Sequence, residues 1–409
     1  MTRRTVRSLP QLLSFVVDNR GRTCPTSDSG IPLIATNCLK EGKREAVFEN
    51  IRYVDESTHA TWFRAHPNPG DILFVCKGSP GRVAVVPDPV PYCIAQDMVA
   101  LRADPAVVNA NYLYYRLRSS DVRESIGNMH VGTMIPHFKK GDFGKLKFAI
   151  HDDISEQQAI AEFLGALDDK IAVNDQVAVA ALSLADALFL VSLQRDAGTP
   201  TTIGELADRG VLALGDGYRT KQAEHGQPGL RILRAGDIRD GRIIPEGADF
   251  VSKSYVRQIG QKASQSNDIV MTTKGSVGRV AVVPADLETV VYSPQICYFR
   301  VLDEDALDRG YLAAWFRSSS LQTQASQLMF KSDMAPYINL RDIRSLTVPV
   351  PNRVEQRKQG EFQRSLLDII HAAHSENRRL ERTRDELLPL LMSGKVRVRD
   401  AEKSVEGVV

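Results

Sequence analysis

Two cations, a hydroxyl and two glycines within six residues can hold a phosphate, and this chain has that combination twice. The segments are Lys77-Gly78-Ser79-Pro80-Gly81-Arg82 and Lys274-Gly275-Ser276-Val277-Gly278-Arg279. Lysine and arginine supply charge, exposed backbone N–H groups supply hydrogen bonds, and glycine permits the tight turn that gathers them. The competing reading is a turn carrying solvated cations. Groups able to transform a substrate are harder to find. There is no GxxxxGK[ST] loop for nucleotide hydrolysis and no GxSxG elbow for acyl transfer. Asp88-Pro89-Val90-Pro91-Tyr92 has the wrong spacing for an amino-methyltransferase motif. Glu41-x-Lys43 and Asp168-x-Lys170 resemble the acid-x-lysine pairs of metal nucleases, but neither has a convincing upstream acidic partner, and such pairs arise by chance in a chain that is 25% charged. The eight histidines do not cluster, and His137 is Tyr337 in the second copy, which argues against a shared catalytic histidine. Five cysteines with no CxxC read as small buried side chains. The chemistry predicted is anion binding without catalysis and without a metal.

The twin turns belong to a longer duplication. Residues 70–87, GDILFVCKGSPGRVAVVP, return 197 positions later as residues 267–284, NDIVMTTKGSVGRVAVVP, with twelve of eighteen identical. Tyr112-Leu113 and Arg118-Ser119-Ser120 recur as Tyr311-Leu312 and Arg317-Ser318-Ser319, Met134-x-Pro136 as Met334-x-Pro336, and Glu156-Gln157 as Glu355-Gln356. A period near two hundred residues means two whole domains, each able to bury its own core. The first 30 residues are a poor match to the stretch after Pro200.

The elements that must position the turns emerge from the pattern. Residues 71–75 and 82–86, with residues 268–272 and 279–283, read as β-strands flanking each glycine turn. Short helices are expected at residues 111–118 and 310–317. Each copy then ends in a long helix, opening at Ser155-x-x-Gln158 and at Asn352-x-x-Glu355, which fit the capping box. Ile160, Leu164, Leu167, Ile171, Asn174, Ala178, Ala181, Ala185 and Leu188 keep a 4,3 spacing on the first. Phe362, Leu366, Ile369, Ala373, Glu376, Leu380, Thr383, Leu387 and Leu390 do so on the second. Such seams call for a coiled-coil partner, and the simplest is the other helix, running antiparallel. About 35 residues at 1.5 Å rise span roughly 50 Å, so the pair serves as a ruler. Asn174 in the seam is a candidate register lock. The fold class is α/β (α+β): residues 1–152 and 197–351 as duplicated domains, 153–196 and 352–395 as helices, 396–409 as a tail.

Charge bounds the partners. The whole chain carries a net +2. Residues 1–152 hold 20 Lys/Arg against 15 Asp/Glu, while residues 153–196 hold 2 against 8. A protein that coats nucleic acid would be far more basic, so any such contact is local. The apolar stretch 177–193 contains Asp186 and many small residues and reads as a packed helix, not a membrane span. The N-terminus lacks a signal-peptide pattern, which predicts a cytoplasmic protein.

Duplicated domains each followed by a long helix, SEQQAIAEFL at residues 155–164 with LDDKI at 167–171, and ELLPLLMSGKV at 386–396, resemble the specificity subunits of type I restriction-modification systems. The resemblance covers nearly the whole chain. It implies two target-recognition domains that each read half of a bipartite site in double-stranded DNA, with the helix pair setting the spacer. It implies docking of modification subunits, two by pseudosymmetry, and of restriction subunits. S-adenosylmethionine, ATP and Mg²⁺ would then belong to those partners, with no cofactor on this chain. Residues identical in both copies cannot distinguish two half-sites. Lys77, Gly78, Ser79, Arg82, Lys274, Gly275, Ser276 and Arg279 are therefore candidates for phosphate contact or turn architecture, and Lys139, Lys140, Lys145 and Lys147 for a phosphate patch. Base readout falls to segments that differ: residues 40–66 and 123–137, and residues 215–229, 253–266 and 326–339. Lys43, Arg44, Arg219 and Lys221 are the candidates there, with solvated surface charge as the alternative. Two other functions remain open on residues alone, a nuclease or methyltransferase with attached reading domains, and a protein-interaction scaffold.

Overall fold

The computed structural model of the chain describes residues 3–94, 96–129, 137–196, 198–239, 241–329 and 336–405. Met134, Pro136 and Met334 lie outside them. The duplication is visible strand by strand. Fully buried Ile72–Val75 pairs antiparallel with Val83–Val85, and Ile269–Thr272 with Val280–Val282, placing each glycine turn at a hairpin end. Each hairpin sits in a four-stranded sheet, beside Met98–Ala103 and Leu13–Val17 in the first copy and Ile296–Val301 and Leu212–Asp216 in the second. A three-stranded sheet accompanies each, built on Ile31–Ile34 and on Gly229–Leu233. The poorly matching starts also share one plan: Arg4–Ser8 pairs with Lys147–His151, and Thr199–Thr202 with Thr347–Val350. Backbone pairing depends little on side-chain identity, so the fold keeps what the sequence comparison loses.

The short helices are Ala110–Arg118 and Arg309–Arg317, capped by Asn109 and Asp308. The long helices are Ile154–Arg195 and Arg353–Met392. The compact units cut the chain inside these helices, not at their ends: one comprises residues 1–175 and 375–409, the other residues 176–374. Each unit therefore owns an α/β domain and half of each helix.

In the first unit the halves run antiparallel, with Leu167 and Ile171 buried together with Leu380. Asn174 donates to Glu376 Oε2 (2.7 Å) and Asn377 Oδ1 (3.0 Å), while Asn377 donates back to the Ile171 carbonyl (3.2 Å). These directed bonds hold one register, since a slip would strand buried amides. In the second unit Ala178, Ala181 and Ala185 pack on Leu366 and Ile370. By length and composition Ile154–Arg195 could cross a membrane. Its seam is instead occupied by these protein partners.

Two expectations need correction. The first long helix is capped by Asp153, whose carboxylate accepts from Ser155 N (2.9 Å), so Ser155 lies inside the first turn. Asn352 does cap the second, accepting from Glu355 N (3.1 Å). On the second helix the buried row lies one residue beyond the apolar one. Gln363, Ile370, Asn377, Arg384 and Leu391 are buried, whereas Phe362 and Ile369 are exposed. Three of those five are polar, and hydrogen bonds make them core residues that an apolar count overlooks. The end of the first seam shifts likewise, from Leu188 to Phe189, and Leu366, Ala373 and Leu380 stay as expected. The tail is also structured. Gly394, at φ +67°, turns the chain into helix Val398–Val405, and Ala401 is fully buried in the first unit's core. All five cysteines are buried thiols, and burial pushes Cys76 and Cys93 up to about 12.

The first unit carries a buried charge cluster. Asp168 accepts from Arg384 Nη1 (2.6 Å), Tyr115 Oη (2.7 Å) and Arg118 Nη1 (3.4 Å). Arg384→Met should cost about 3–5 kcal/mol by leaving a buried carboxylate with only Tyr115 and the more distant Arg118, and adding Asp168→Leu and Arg118→Met should recover most of it. Denaturant midpoints of the single and combined variants test this, and simple additivity would refute the coupling.

Fully buried His151 shares a hydrogen bond with Tyr112 Oη (2.8 Å) at the strand end before the first long helix. Burial lowers its pKa from the ordinary 6.5, with Arg4 and Arg116 adding to the shift and Glu156 and Asp152 opposing it. The fold thus holds the neutral ring. Its stability contribution is complete above the unfolded value and declines as pH falls through the folded one. Between about pH 7.5 and 5, the unfolding midpoint of the wild type should fall more steeply than that of His151→Gln.

Candidate nucleic-acid interface

The two glycine turns have one geometry. Gly81 N donates to the Val75 carbonyl (3.0 Å) and Gly278 N to the Thr272 carbonyl (2.9 Å), while Val75 N and Thr272 N donate to the carbonyls of Arg82 and Arg279 (both 2.9 Å). Gly78 and Gly81 take φ of +90° and +89°, Gly275 and Gly278 of +79° and +84°. That left-handed backbone accounts for the glycines being common to both copies. Lys77 and Lys274 form isolated bridges with His137 and Tyr337 and leave exposed side chains. Gly78, Gly275 and Ser276 are exposed, and Ser79 is half-buried. Arg279 is exposed, its Nη1 reaching the Ile238 carbonyl (3.4 Å), whereas Arg82 is half-buried and forms no ion pair among the described residues.

Lys139 and Lys145 are exposed around a short turn, Lys145 bonded to Asp142 (2.9 Å), and Lys147 is exposed on the closing strand. The side chain of Lys140 lies outside the described residues. These lysines share a neighbourhood in sequence, and Asp142 neutralises part of it.

The readout candidates divide. Lys43 bonds Asp175 Oδ2 (2.5 Å), and Arg44 meets Asn111 Oδ1 (3.1 Å) and Asp169 (3.6 Å). Both therefore tie residues 40–44 to the first long helix instead of standing free. The loop also touches the hairpin, with Val85 N donating to the Arg44 carbonyl (2.7 Å). A small cleft beside the first turn is lined by Lys40, Lys43, Arg82, Arg118 and Arg123, with Glu41 pairing Arg123 (2.7 Å). Arg219 and Lys221 are exposed in the loop after Leu212–Asp216 and form no ion pairs among the described residues. Segments 123–137 and 326–339 are only partly described.

Several positioning residues escaped the sequence reading. Arg102 grips Asp71 with two 2.9 Å bonds, and Arg300 grips Asp268 at 2.7 and 2.6 Å. Both aspartates are almost wholly buried at the start of the hairpin that carries the turn. Each also accepts from a backbone N–H three residues before it, Asn68 or Gln265. The signal was present, since the aspartates are identical in the duplicated block and the arginines recur 198 residues apart. Arg118 and Arg317 likewise serve packing: Arg118 reaches Asp168, and Arg317 bonds Gln363 Oε1 (2.6 Å) and approaches Asp186 (3.5 Å). Among the described residues no cluster of three His, Cys, Asp or Glu could hold a metal.

Twinned α/β domains on shared long helices, each offering a rigid cationic turn beside divergent loops, define a class of paired recognition modules. Similarity to known proteins makes the class specific. A family profile described as "Type I restriction modification DNA specificity domain" matches residues 24–179 and 202–382, and the chain belongs to that family. The MjaVIII specificity subunit of Methanocaldococcus jannaschii is 25% identical over 81% of this chain and 80% of its own length. The EcoBI specificity subunit of Escherichia coli is 27% identical over 32% of this chain and 27% of its own length. Among solved structures, the type I restriction-modification S subunit from M. genitalium shares the fold, with a TM-score of 0.53, 20% identity and 96% coverage of both chains.

Proposed function

We propose that the chain is the non-catalytic, sequence-reading subunit of a type I restriction-modification complex. In this reading each α/β domain recognises one half of a bipartite site in double-stranded DNA. The observation that carries it is the contrast within the duplication: two turns of one geometry, flanked by loops that differ in sequence and structure. Identical cationic turns suit phosphate, which is the same at every site, and divergent loops suit base edges, which are not. Lys77, Arg82, Lys274 and Arg279 take the phosphate role, assisted in the first domain by Lys139, Lys140, Lys145 and Lys147. Gly78, Ser79, Gly275 and Ser276 shape the turns. Arg219 and Lys221 read in the second domain, and the loop bearing Lys43 and Arg44 reads in the first, steadied by its helix contacts.

The long helices set the spacer and dock two modification subunits. Exposed Val177, Val179, Leu184, Leu190 and Val191 support that docking, because so many apolar side chains on one helix favour a protein partner. The modification subunits supply S-adenosylmethionine and methylate adenine, and the restriction subunits use ATP and Mg²⁺. A cytoplasmic location accords with the DNA substrate.

Co-expression with its modification subunit and mapping of methylated adenines by single-molecule sequencing tests the reading. A split motif with a fixed unspecific spacer is expected. Methylation that is absent, or that persists without this chain, would return it to a protein-interaction scaffold. Exchanging residues 215–339 for those of another family member should change one half of the motif and leave the other. Arg82→Ala and Arg279→Ala should weaken binding to all duplexes alike, each lowering the salt slope by about one. A changed sequence preference would make them base readers instead.

A further inference from the structure

Between the equivalent strands Ile31–Ile34 and Arg52–Val54, and Gly229–Leu233 and Phe250–Ser252, the two domains carry matching sequences, Leu39-Lys40-Glu41-Gly42-Lys43 and Ile238-Arg239-Asp240-Gly241-Arg242, in different backbone pairing. Both enter through a short turn, Thr36–Cys38 and Ala235–Asp237, and in the first domain a loop follows whose Lys40 and Lys43 are paired with Glu49 and Asp175. The second has a β-hairpin, with Ile238 opposite Ile243 and Arg239 opposite Arg242. Its root is rigid: Ile238 is fully buried, Ile243 packs on the same core, and Ile244 N bonds the Asp237 carbonyl at 2.8 Å. Its end carries two arginines directly across from each other, an arrangement that opposes folding because like charges at opposed positions repel. Arg239 finds partial relief in the Gly236 carbonyl (2.6 Å) and Glu246 (3.4 Å). Arg242 forms no ion pair among the described residues.

The hairpin also lies against the cationic turn. Arg279 extends its guanidinium to the Ile238 carbonyl (3.4 Å), so the turn assigned to phosphate and the paired arginines share one surface of the second unit. Resting on the proposed DNA-reading function, we propose that residues 238–243 are a base-reading ribbon of the second domain, with Arg239 and Arg242 directed at guanine. A two-stranded ribbon fits the major groove, and arginine's planar fork matches guanine O6 and N7. The same contact supplies the negative edge that offsets the repulsion between the two arginines. Arg279, on the adjoining turn, holds the backbone and thereby sets the depth of entry.

The test uses the full chain assembled with its modification subunits. Methylation motifs, and competition binding to duplexes altered one base pair at a time, are compared for wild type, Arg242→Gln and Arg239→Gln. Melting temperature is followed as the folding control. One half-site should lose preference for a guanine by roughly 5- to 150-fold, with a shift toward adenine, which glutamine reads. The other half-site should stay as in wild type, and the melting temperature should not fall, since either substitution relieves the repulsion between the opposed arginines. Retention of both half-sites, or a uniform loss on every duplex, overturns the ribbon reading while leaving the two-reader function intact. A second half-site lacking guanine on both strands also overturns it. Failure of the broader function is distinguishable, because the wild-type complex itself would then give no split motif.

Discussion

A pair of buried glutamines, one at the base of each domain, fixes where everything else lies. Gln157 accepts from Asn109 N (2.8 Å) and donates to the His151 carbonyl (2.7 Å). Gln356 accepts from Asp308 N (3.0 Å) and donates to the Pro351 carbonyl (2.9 Å). Each carboxamide thus joins the first turn of a long helix, the end of the strand leading into it and the cap of the short helix. An amide has one donor end and one acceptor end, so the bond pattern admits a single orientation, and burial makes a broken bond costly. The angle at which a domain meets its helix is set there.

Around this shared joint the copies have diverged. In the first unit the helix halves enclose the Asp168 cluster and interlocked asparagines. In the second, Gln363 donates to the Ala185 carbonyl (2.7 Å) and receives Arg317. Gly360 answers another local demand, since a Cβ there would fall 1.8 Å from Asp308 Oδ1. Asp308 itself caps the short helix and pairs with Arg364 (2.7 Å). Two polar solutions therefore support one geometry. Divergence is freest where the chain is least constrained, in loops beside a hairpin that is itself gripped by a buried aspartate–arginine pair.

The catalogue of elements was legible because it rests on local physics. Glycine turns, buried apolar strands and helical periodicity are each decided within ten or so residues, and the internal repeat supplied a second witness for every one. What failed did so for one reason. Gln363, Asn377 and Arg384 are core residues with polar names, and hydropathy places them outside. Lys43 and Arg44 look like free cations, but acids more than a hundred residues away, Asp175 and Asp169, occupy them. The hairpin at residues 238–243 went unremarked because its counterpart, Leu39-Lys40-Glu41-Gly42-Lys43 against Ile238-Arg239-Asp240-Gly241-Arg242, matches by residue type and shares only the glycine.

By itself the sequence determined that the chain holds two domains of one design and that each ends in a long helix. Covalent order and short-range preference suffice for those conclusions. Only the tertiary structure decided which face of the second helix is buried, which cations are free, and that each compact unit owns half of both helices. Those outcomes depend on partners distant along the chain, whose charges and hydrogen bonds become neighbours only after folding.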